Sequence, residues 1–411
     1  MGTVKEILKK NSGENEIYEG KIIEVYPDLV MNHDGDNSYN VTVFEQKLKA
    51  DKVFSSEKIV MGLDHNVPSN SINTASVHSD LRKFAQKHKI KHFYDNEGIL
   101  HQLMIENHVR PGQLIFAADS HTCSYGGVGA LGIPIGTTDN AFIWATGKTW
   151  FQVPKIVRIQ FAGSISKGVF AKDISLNLLK MLKPYELTGS IVEISGVAIN
   201  SLSISSKITV ANMCAEFGAL SAVITEYPEE NDSYNYMFDI TNIEPSVAIP
   251  HHPSNVEKVN ELSAIKVNQV FLGSCTNGRL EDLGIAALIM QGQKVAKDIR
   301  MYIAPASRQQ LLLGLEKGYI QTLIKAGGIL LNPGCSLCFG SCQGVMHDDE
   351  VLFSTGNRNH KGRVGSNSSH IYLGSPATAA ATAIRGVITD PREFLASLNQ
   401  DDFIGGERNV K

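Results

Sequence analysis

The chain has 411 residues, of which 43% are hydrophobic and 19% charged, and its formal net charge is −4. This weakly negative balance gives no reason to expect nucleic acid or an anionic membrane as a partner. The length predicts two or three domains. No apolar run approaches the roughly 18 residues of a membrane span, and the first twenty residues lack a secretory-signal pattern, so a cytoplasmic location is expected.

Short apolar runs alternate with helical periodicity along the whole chain. Val77, Leu81 and Phe84 fall on one face of a predicted helix. Strands are predicted at 114–118, 157–161, 267–272, 301–304 and 328–331. The acidic stretch 226–234 is predicted to be a solvated loop. Alternation of strands and helices favours α/β domains with mainly parallel sheets, and we place three of them at 1–154, 155–264 and 265–411.

Reactive side chains follow four of the predicted strands. Asp64 and His65 come after KIVMGL, Asp119 and His121 after LIFAA, Cys275 after VNQVFLGS, and Cys335 after GGILLNPG. Open α/β sheets have their sites beyond the carboxyl ends of strands. These loops are therefore expected to meet at one cleft.

Three common motifs are matched only in part. Gly147-Lys148-Thr149 has the end of a phosphate-binding loop, but Phe142 stands where its first glycine is required. The run Gly127 to Gly132 has dinucleotide-loop spacing, but no acidic residue follows at the ribose-binding distance. His88 and His92 have the spacing of a zinc pair without the glutamate of HExxH. We interpret these two as surface histidines.

Three of the six cysteines lie in glycine-containing segments: Cys275 in GSCTNGR, and Cys335 and Cys338 in NPGCSLCFG. A CxxC pair binds one metal centre, but alone it also fits a redox pair or half of a zinc site. No second CxxC completes a zinc site. Three thiolates would leave one iron of a four-iron cluster open, which suits Lewis-acid chemistry. The remaining cysteines are interpreted as structural thiols, with Cys342 as an alternative fourth ligand.

Seven segments together resemble signatures of the aconitase superfamily: GLDHNVP, GILHQLMIENHVRPG, ADSHTCSYGGVGALGIPIGTT, FLGSCTNGR, PGCSLCFG, STGNRNHKGRVG and YLGSPATAAA. They occur in family order over nearly the whole chain. In length and detail the chain is similar to the separate large subunits of isopropylmalate isomerases and archaeal-type homoaconitases. The resemblance implies three α/β domains arranged around one [4Fe–4S] cluster per subunit.

The resemblance also implies roles for individual residues. The cluster ligands would be Cys275, Cys335 and Cys338, with Asn357 beside them. The acid–base groups would be Asp64, His65, His101, Asp119, His121 and Glu216. Within this set, Asp119 and His121 would protonate the departing hydroxyl, and Glu216 would partner His101. The residues lining the substrate pocket would be His33, Asn212, Arg358 and Arg363.

These assignments agree with elementary chemistry. Elimination of water requires a base for the carbon-bound proton and an acid for the departing hydroxyl. The planar fork of arginine meets a carboxylate with two hydrogen bonds. Asn212 and Glu216 are four residues apart on a predicted helix that begins after Ser205 or Ser206 and ends at Gly218, so they are expected to share a face.

The leading hypothesis is a hydro-lyase or isomerase that acts on a malate-like acid, with 3-isopropylmalate first. Homocitrate or homoaconitate, citramalate and a dimethylmalate are alternative substrates. A non-catalytic iron–sulfur sensor or RNA-binding relative, and an electron carrier with Cys342 as fourth ligand, are alternatives of other classes. The joint presence of Asp119, His121, Arg358 and Arg363 favours an enzyme.

The sequence departs from the family at two points. Asp36 and Asn37 follow Asp34 and Gly35, where relatives carry Thr after a small residue, which affects the expected role of His33. The final swivelling domain of single-chain aconitases, with its serine base, is not found in this sequence. It is expected on a separate small subunit.

Overall fold

The computed structural model describes residues 3–225 and 233–395. Within these ranges it contains sheets of five, four and seven strands and one two-stranded ribbon, and most neighbouring strands are parallel. This confirms the predicted α/β fold class. The main part of the predicted acidic loop, 226–232, lies outside the described residues. Among the helices of the described ranges, none is long and apolar enough to cross a membrane.

The first region of the chain forms the five-stranded sheet and the ribbon. Its strands are β1 (Ile22–Val25), β2 (Leu29–His33), β3 (Ile59–Leu63), β4 (His92–Asp95), β5 (Leu114–Ala117), β6 (Leu131–Pro134) and β7 (Thr149–Gln152). The parallel sheet has the order β4-β3-β2-β5-β6, while β1 pairs with β7. Because the chain moves from β2 outward in both directions, the loops after β2, β3 and β5 meet at the centre of one edge.

Helices cover both faces of this first sheet. They are α1 (Val4–Ser12), α2 (Tyr39–Thr42), α3 (Ile72–Lys87), α4 (Leu100–Asn107) and α5 (Thr137–Thr146), with 3₁₀ turns at Asp34–Asp36 and Ser120–Val128 and a π turn at Val43–Lys47. Val30 of β2 belongs to one apolar core and the adjacent Met31 to the other. Burial on both faces explains why these strands are continuously apolar.

The second region forms the four-stranded parallel sheet β10-β9-β8-β11. Its strands are β8 (Ile156–Ala162), β9 (Ile191–Ser195), β10 (Ser221–Ile224) and β11 (Tyr236–Asp239), and its helices are α6 (Ala171–Leu182), α7 (Val197–Asn200) and α8 (Ile204–Met213), with a 3₁₀ turn at Cys214–Phe217. In β8, Val157, Ile159 and Phe161 are buried and alternate with half-buried residues, as predicted.

The predicted helix around Asn212 and Glu216 differs in detail. Its N-cap is Ser203, whose side chain accepts from the Ser206 amide, so the expectation of a cap at Ser205 or Ser206 was wrong. The α-helix ends at Met213, and Glu216 lies on the following 3₁₀ turn. Gly218 ends this turn in the left-handed conformation, as predicted. Glycine favours that conformation because it has no Cβ.

The third region forms the seven-stranded sheet β13-β12-β18-β17-β14-β15-β16. Its strands are β12 (Ser246–Ala248), β13 (Val256–Lys258), β14 (Gln269–Leu272), β15 (Arg300–Ile303), β16 (Ile329–Leu330), β17 (Val351–Ser354) and β18 (His370–Leu373). The five from β14 to β18 are parallel, and β12 is antiparallel to both of its neighbours. β12 and β13 precede residue 264, so this sheet begins earlier than the predicted third domain.

Helices and short turns connect the strands of the third sheet. They are α9 (Ser274–Asn277), α10 (Leu280–Ile289), α11 (Arg308–Glu316), α12 (Tyr319–Lys325), α13 (Pro376–Arg385) and α14 (Arg392–Leu395), with 3₁₀ turns at Val259–Leu262 and Ser336–Cys338. The chain runs from β14 to β15 and β16, then returns to β17 on the other side of β14. The loops after β14 and β17 therefore lie side by side.

Apolar packing fixes the second region against the other two. Leu176 and Met213 share a core with Phe271 and Leu337 of the third region. Against the first region, a Cβ on Gly127 would lie 2.5 Å from the Cα of Ile208. Gly127 thus permits close packing between a 3₁₀ turn and α8, and Gly129 ends that turn in the left-handed conformation. These structural roles account for the two glycines without a dinucleotide.

Candidate active site

The loops at the carboxyl ends of the first and third sheets enclose one cleft of about 490 Å³, including its open mouth. Its lining residues are His65, His101, Asp119, Ser120, His121, Cys275, Cys335, Cys338, Phe339, Arg358 and Arg363. Histidines and Asp119 come from the first region, and the cysteines and arginines come from the third. The predicted meeting of the strand-end loops is therefore observed.

Asp34, directly after β2, organises the neighbouring loop. Its Oδ1 accepts from the backbone amides of Asp64 and His65, each at 2.9 Å, and its Oδ2 accepts from the Asn66 amide at 3.0 Å. The Nε2 of His78 lies 3.1 Å from the same Oδ2. Burial acts to raise the pKa of Asp34, but these hydrogen bonds hold it well below its usual range. The Asp34 carboxylate is therefore ionised, and it holds the Asp64–His65 loop in place.

The Asp64–His65 loop directs one imidazole nitrogen into the cleft. Nδ1 of His65 lies 2.6 Å from Oδ1 of Asp64, and the other Asp64 oxygen accepts from the Leu100 amide at 2.7 Å. His65 also stacks on His33, with ring centroids 4.2 Å apart. Because Asp64 occupies Nδ1, Nε2 is left to face the cleft, 3.7 Å from Oδ2 of Asp119.

Asp119 is surrounded by imidazoles. Its Oδ1 lies 2.9 Å from Nε2 of His101, and its Oδ2 lies 3.3 Å from Nε2 of His33. Burial alone would raise the pKa of Asp119, but the positive potential and hydrogen bonding of these histidines hold it well below its usual range. The same contact raises the pKa of His33 to about 10 against the opposing effect of its burial. The short contact with Asp119 therefore favours the protonated form of His33.

The pairing expected for Glu216 was wrong. Glu216 lies 3.0 Å from Nε2 of His121 and accepts from Nε of Arg358 at 3.1 Å, whereas His101 pairs with Asp119. His121 is 3.6 Å from Asp119, at the limit of an ion pair. Burial acts to raise the pKa of Glu216, but His121 and Arg358 lower it below its usual range. The network thus contains the dyads His101–Asp119 and His121–Glu216.

The two arginines of the cleft differ in their partners. Arg358 is held by Glu216 and donates to the hydroxyl of Ser120 at 2.8 Å. Arg363 lies over the ring of Phe339, 5.6 Å from its centroid. The Nε of Arg363 is buried and has no hydrogen-bond partner among the described residues. A buried unpaired donor is costly, so this guanidinium is suited to an incoming anion.

The three cysteines of the cleft come from two loops of the third region. Cys275 lies on the short helix α9, Cys335 is the N-cap of the 3₁₀ turn Ser336–Cys338, and Cys338 is its last residue. The amide of Cys335 donates to the carbonyl of Asp64 at 2.8 Å, which joins this loop to the histidine side. Cys342 is not among the described residues that line the cleft.

Two asparagines contact the thiols. Nδ2 of Asn212 donates to the sulfur of Cys275 at 3.2 Å. Oδ1 of Asn357 lies 3.4 Å from the sulfur of Cys338 and 3.9 Å from that of Cys275. The two amides also bond to each other. Asn357 therefore sits between two of the cysteines, and Asn212, from α8, supports it.

The donor set fits an iron–sulfur cluster. Burial raises the pKa of the Cys275 thiol to about 12 and that of Cys335 well above its usual range. Buried thiols of this kind become thiolates when a metal binds them. Three cysteine sulfurs, few competing oxygen ligands and glycines in both loops are typical of cluster binding. Asp64 lies 3.8 Å from the sulfur of Cys335 and is already occupied by His65 and the Leu100 amide.

Several predicted residues support the cleft without lining it. His33, Asp64, Asn212, Glu216 and Asn357 each contact a lining residue. The sequence interpretation missed others. Asp34 and Ser120 were adjacent to predicted residues, and their positions directly after strands could have identified them. Nothing in its local sequence marked His78, because its role depends on the distance between α3 and the loop after β2.

The segment 147–149 and the pair His88 and His92 do not form the sites that their motifs suggest. Gly147 is the C-cap of α5 and Thr149 begins β7, so this run is not a loop before a helix. His88 packs on Phe44, while His92 packs on His108, and the two do not form a metal pair. Among the described residues, the set His33, Asp34, Asp64 and His65 has metal-ligand proximity. Hydrogen bonds within the network already occupy these carboxylates.

Known proteins match this chain in sequence and in fold. The model of the aconitase family (aconitate hydratase) matches residues 5–237 and 254–386. The large subunit 1 of 3-isopropylmalate dehydratase from Archaeoglobus fulgidus is 40% identical, over 95% of this chain and 99% of its own length. The methanogen homoaconitase large subunit from Methanocaldococcus jannaschii is 38% identical over 95% and 99%. The crystal structure of Thermococcus kodakaraensis aconitase X shares the fold, with a TM-score of 0.52, 12% identity, and coverage of 81% and 84% of the two chains.

Fold and cleft together define an α/β enzyme in which acid–base dyads, arginines and three cysteines share one site. The sequence matches identify its family. The chain belongs to the aconitase family, an enzyme family of hydro-lyases whose members generally use a [4Fe–4S] cluster.

Proposed function

We propose that this chain is the catalytic large subunit of a dehydratase that isomerises a malate-type hydroxy-acid, with 3-isopropylmalate as the first candidate. The observation that carries the proposal is the single cleft lined by three cysteines, the Asp119-centred histidines and two arginines. Cys275, Cys335 and Cys338 would hold one [4Fe–4S] cluster. When bound, a cluster with an open iron supplies a Lewis acid for the hydroxyl oxygen of the substrate.

We assign the proton for the departing hydroxyl to the Asp64–His65 pair instead of the Asp119–His121 pair that the resemblance implied, because Glu216 holds Nε2 of His121. Because Asp64 holds Nδ1 of His65, the ring presents Nε2 to the cleft, where a protonated imidazole donates to the hydroxyl as it leaves. Oδ2 of Asp119 lies 3.7 Å from the same nitrogen. His101, held against Asp119 and the Tyr125 hydroxyl, completes this hydrogen-bonded wall.

The arginines orient the substrate through its carboxylates. Glu216 and Ser120 fix the guanidinium of Arg358, and Phe339 fixes that of Arg363. Two separated guanidinium groups suit a dicarboxylate, which would then be held with its hydroxyl toward the histidines. The relatives carry two substrate names at nearly equal identity, 40% and 38%. Homoaconitate is therefore the second candidate, ahead of citramalate and dimethylmalate.

A base for the carbon-bound proton is proposed on a separate small subunit. Ser120 is the serine that lines the cleft within the described ranges, and its hydroxyl accepts a hydrogen bond from Arg358. A hydroxyl oxygen whose lone pair accepts from a guanidinium is a poor proton acceptor. A small subunit over the mouth would supply another serine and exclude water. Such a complex, with reduced cysteines, suits the cytoplasm.

The test is reconstitution with ferrous iron, sulfide and thiol under anaerobic conditions, followed by assay on a panel of hydroxy-acids. We expect the lone chain to take up the cluster and to be nearly inactive. Addition of the candidate small subunit should restore turnover, with the highest kcat/KM for 3-isopropylmalate. Full activity of the lone chain would contradict the two-subunit proposal, and failure to take up iron and sulfide would contradict the cluster.

A further inference from the structure

A lysine outside the proposed acid–base set is completely buried near the cysteines. Lys172 lies in the first turn of α6, in the second region, and its relative exposure is 0%. Its Nζ donates to the carbonyl oxygens of Thr355 at 3.0 Å and Gly356 at 2.6 Å, and lies 3.6 Å from the sulfur of Met213. The side chain thus crosses from one region of the fold to another.

The Nζ of Lys172 has hydrogen-bond acceptors, but its positive charge has no counter-ion among the described residues. Within the described residues no carboxylate forms an ion pair with its Nζ. The nearby acids have other partners: Glu216 binds His121 and Arg358, and Asp282 binds Asn277 and the Arg279 amide. Two carbonyl dipoles do not compensate the desolvation of an ammonium ion. An anion bound near this ammonium would offset part of that cost.

The carbonyls that bind Lys172 lead directly to the thiols. A Cβ on Gly356 would lie 3.4 Å from the sulfur of Cys338. The next residue, Asn357, contacts the sulfurs of both Cys338 and Cys275. Burial lowers the pKa of Lys172 to about 8, and the neighbouring Cys338 and Cys275 act in the opposite direction. The ammonium is therefore one peptide unit from the site of three prospective thiolates.

We propose that Lys172 is the buried counter-cation of the cluster and the positioning residue for the Gly356–Asn357 loop. This inference rests on the proposed cluster site. A four-iron cluster with core charge 2+ and three thiolate ligands is negatively charged, and carboxylate substrates add to that charge. A fixed ammonium in a low-dielectric setting would stabilise the bound state and favour electron acceptance. The positive charge of Lys172 therefore destabilises the apoprotein, and binding of the negatively charged cluster offsets this effect.

The experiment compares two variants of the full chain with a matched control. Lys172→Met removes the charge and the donors, whereas Lys172→Gln removes the charge and keeps an amide donor. Lys180→Met is the control, because Lys180 lies on the same helix and donates to the Val256 carbonyl at 2.7 Å. Each protein is reconstituted with ferrous iron, sulfide and thiol. Iron and sulfide content, the cluster's reduction midpoint by EPR-monitored titration, and the thermal midpoint of the apoprotein are then measured.

We expect both Lys172 variants to bind the cluster about 10- to 100-fold more weakly and to shift its midpoint potential to more negative values. Their apoproteins should melt at or above the wild-type temperature, because a buried unpaired charge has been removed. Lys180→Met should match wild type in all three measurements. A normal potential in Lys172→Gln with a shift only in Lys172→Met would show a purely positioning role and overturn the counter-cation.

Two further outcomes separate this inference from the proposed function. If wild type takes up no cluster, the proposed function itself fails. If wild type takes up the cluster and both variants load it with the same affinity and potential, the assignment of Lys172 fails alone. Unfolding of both apoproteins would also overturn it, because a counter-cation for the cluster is not required for folding.

Discussion

Nε2 of His101 lies 2.9 Å from Oδ1 of Asp119. This contact divides the acid–base residues into separate dyads, because Glu216 is already bound by His121 and Arg358. Asp119 holds Nε2 of His101, Glu216 holds Nε2 of His121, and Asp64 holds Nδ1 of His65. Each contact sets which ring nitrogen remains for a substrate. The contact between Asp64 and His65 is the basis for the prediction that concerns catalysis.

The first prediction concerns His65, whose Nε2 faces the cleft. His65→Ala should reduce kcat of the reconstituted two-subunit enzyme by about 10² or more, the usual scale for a general acid, without changing cluster content. His92→Ala is the control, since His92 packs on His108 away from the cleft. Steady-state kinetics and iron analysis provide the comparison. Near-normal turnover in His65→Ala would remove this residue from the mechanism.

The second prediction separates the cysteines that line the cleft from one that does not. Cys335→Ser should abolish stable cluster binding, because two thiolates do not hold a four-iron cluster. Cys342→Ser should bind a full complement of iron and sulfide, since Cys342 is not a lining residue of the cleft that the structure describes. Loss of the cluster in Cys342→Ser would instead indicate a closed site with four cysteines.

Exposure of the reconstituted wild-type enzyme to oxygen should release one iron, and addition of ferrous iron with thiol should restore activity.

The third prediction concerns the buried carboxylate of Glu216, whose side chain is 7% exposed. Glu216→Gln leaves Arg358 and His121 without their anion, so the free energy of unfolding should fall by about 3 kcal/mol. Glu350→Gln is the control, because its partner Arg300 is 44% exposed, and the expected loss there is below about 1 kcal/mol. Urea unfolding of the apoproteins measures both. Equal losses in the two variants would show that burial of Glu216 contributes nothing.

The fourth prediction follows from the raised pKa of His33, about 10 in the folded protein. The unfolded value is about 6.5, so protonation favours the folded state. The stabilisation is complete below about pH 6.5 and is lost as pH rises through the folded value. The difference in unfolding free energy between wild type and His33→Gln should therefore shrink by on the order of 1–3 kcal/mol from pH 6 to pH 10. A constant difference would show that His33 is neutral.

The local sequence predicted the strands and the loops after them with good accuracy. The strand predicted at 114–118 is observed at Leu114–Ala117, and that at 157–161 lies within Ile156–Ala162. Apolar runs of this length report burial on one or both faces, which is a local property. Because parallel strands place their carboxyl ends at one edge, Cys275, Asp64 and Asp119 could be expected at a common site before their distances were known.

Only the tertiary structure decided which of these groups are partners. His101 and His121 are twenty residues apart, and nothing in the spacing shows which one faces Glu216. That choice depends on how the 3₁₀ turn Cys214–Phe217 of the second region is seated against the Asp119 loop of the first. The burial of Lys172 is also a tertiary property. A lysine in the first turn of a helix is typical of an exposed position, and here packing against the carbonyls of Thr355 and Gly356 buries it. Sequence patterns determine which side chains reach a sheet edge, whereas ion pairing and desolvation depend on distances between separate regions, which only the packed fold sets.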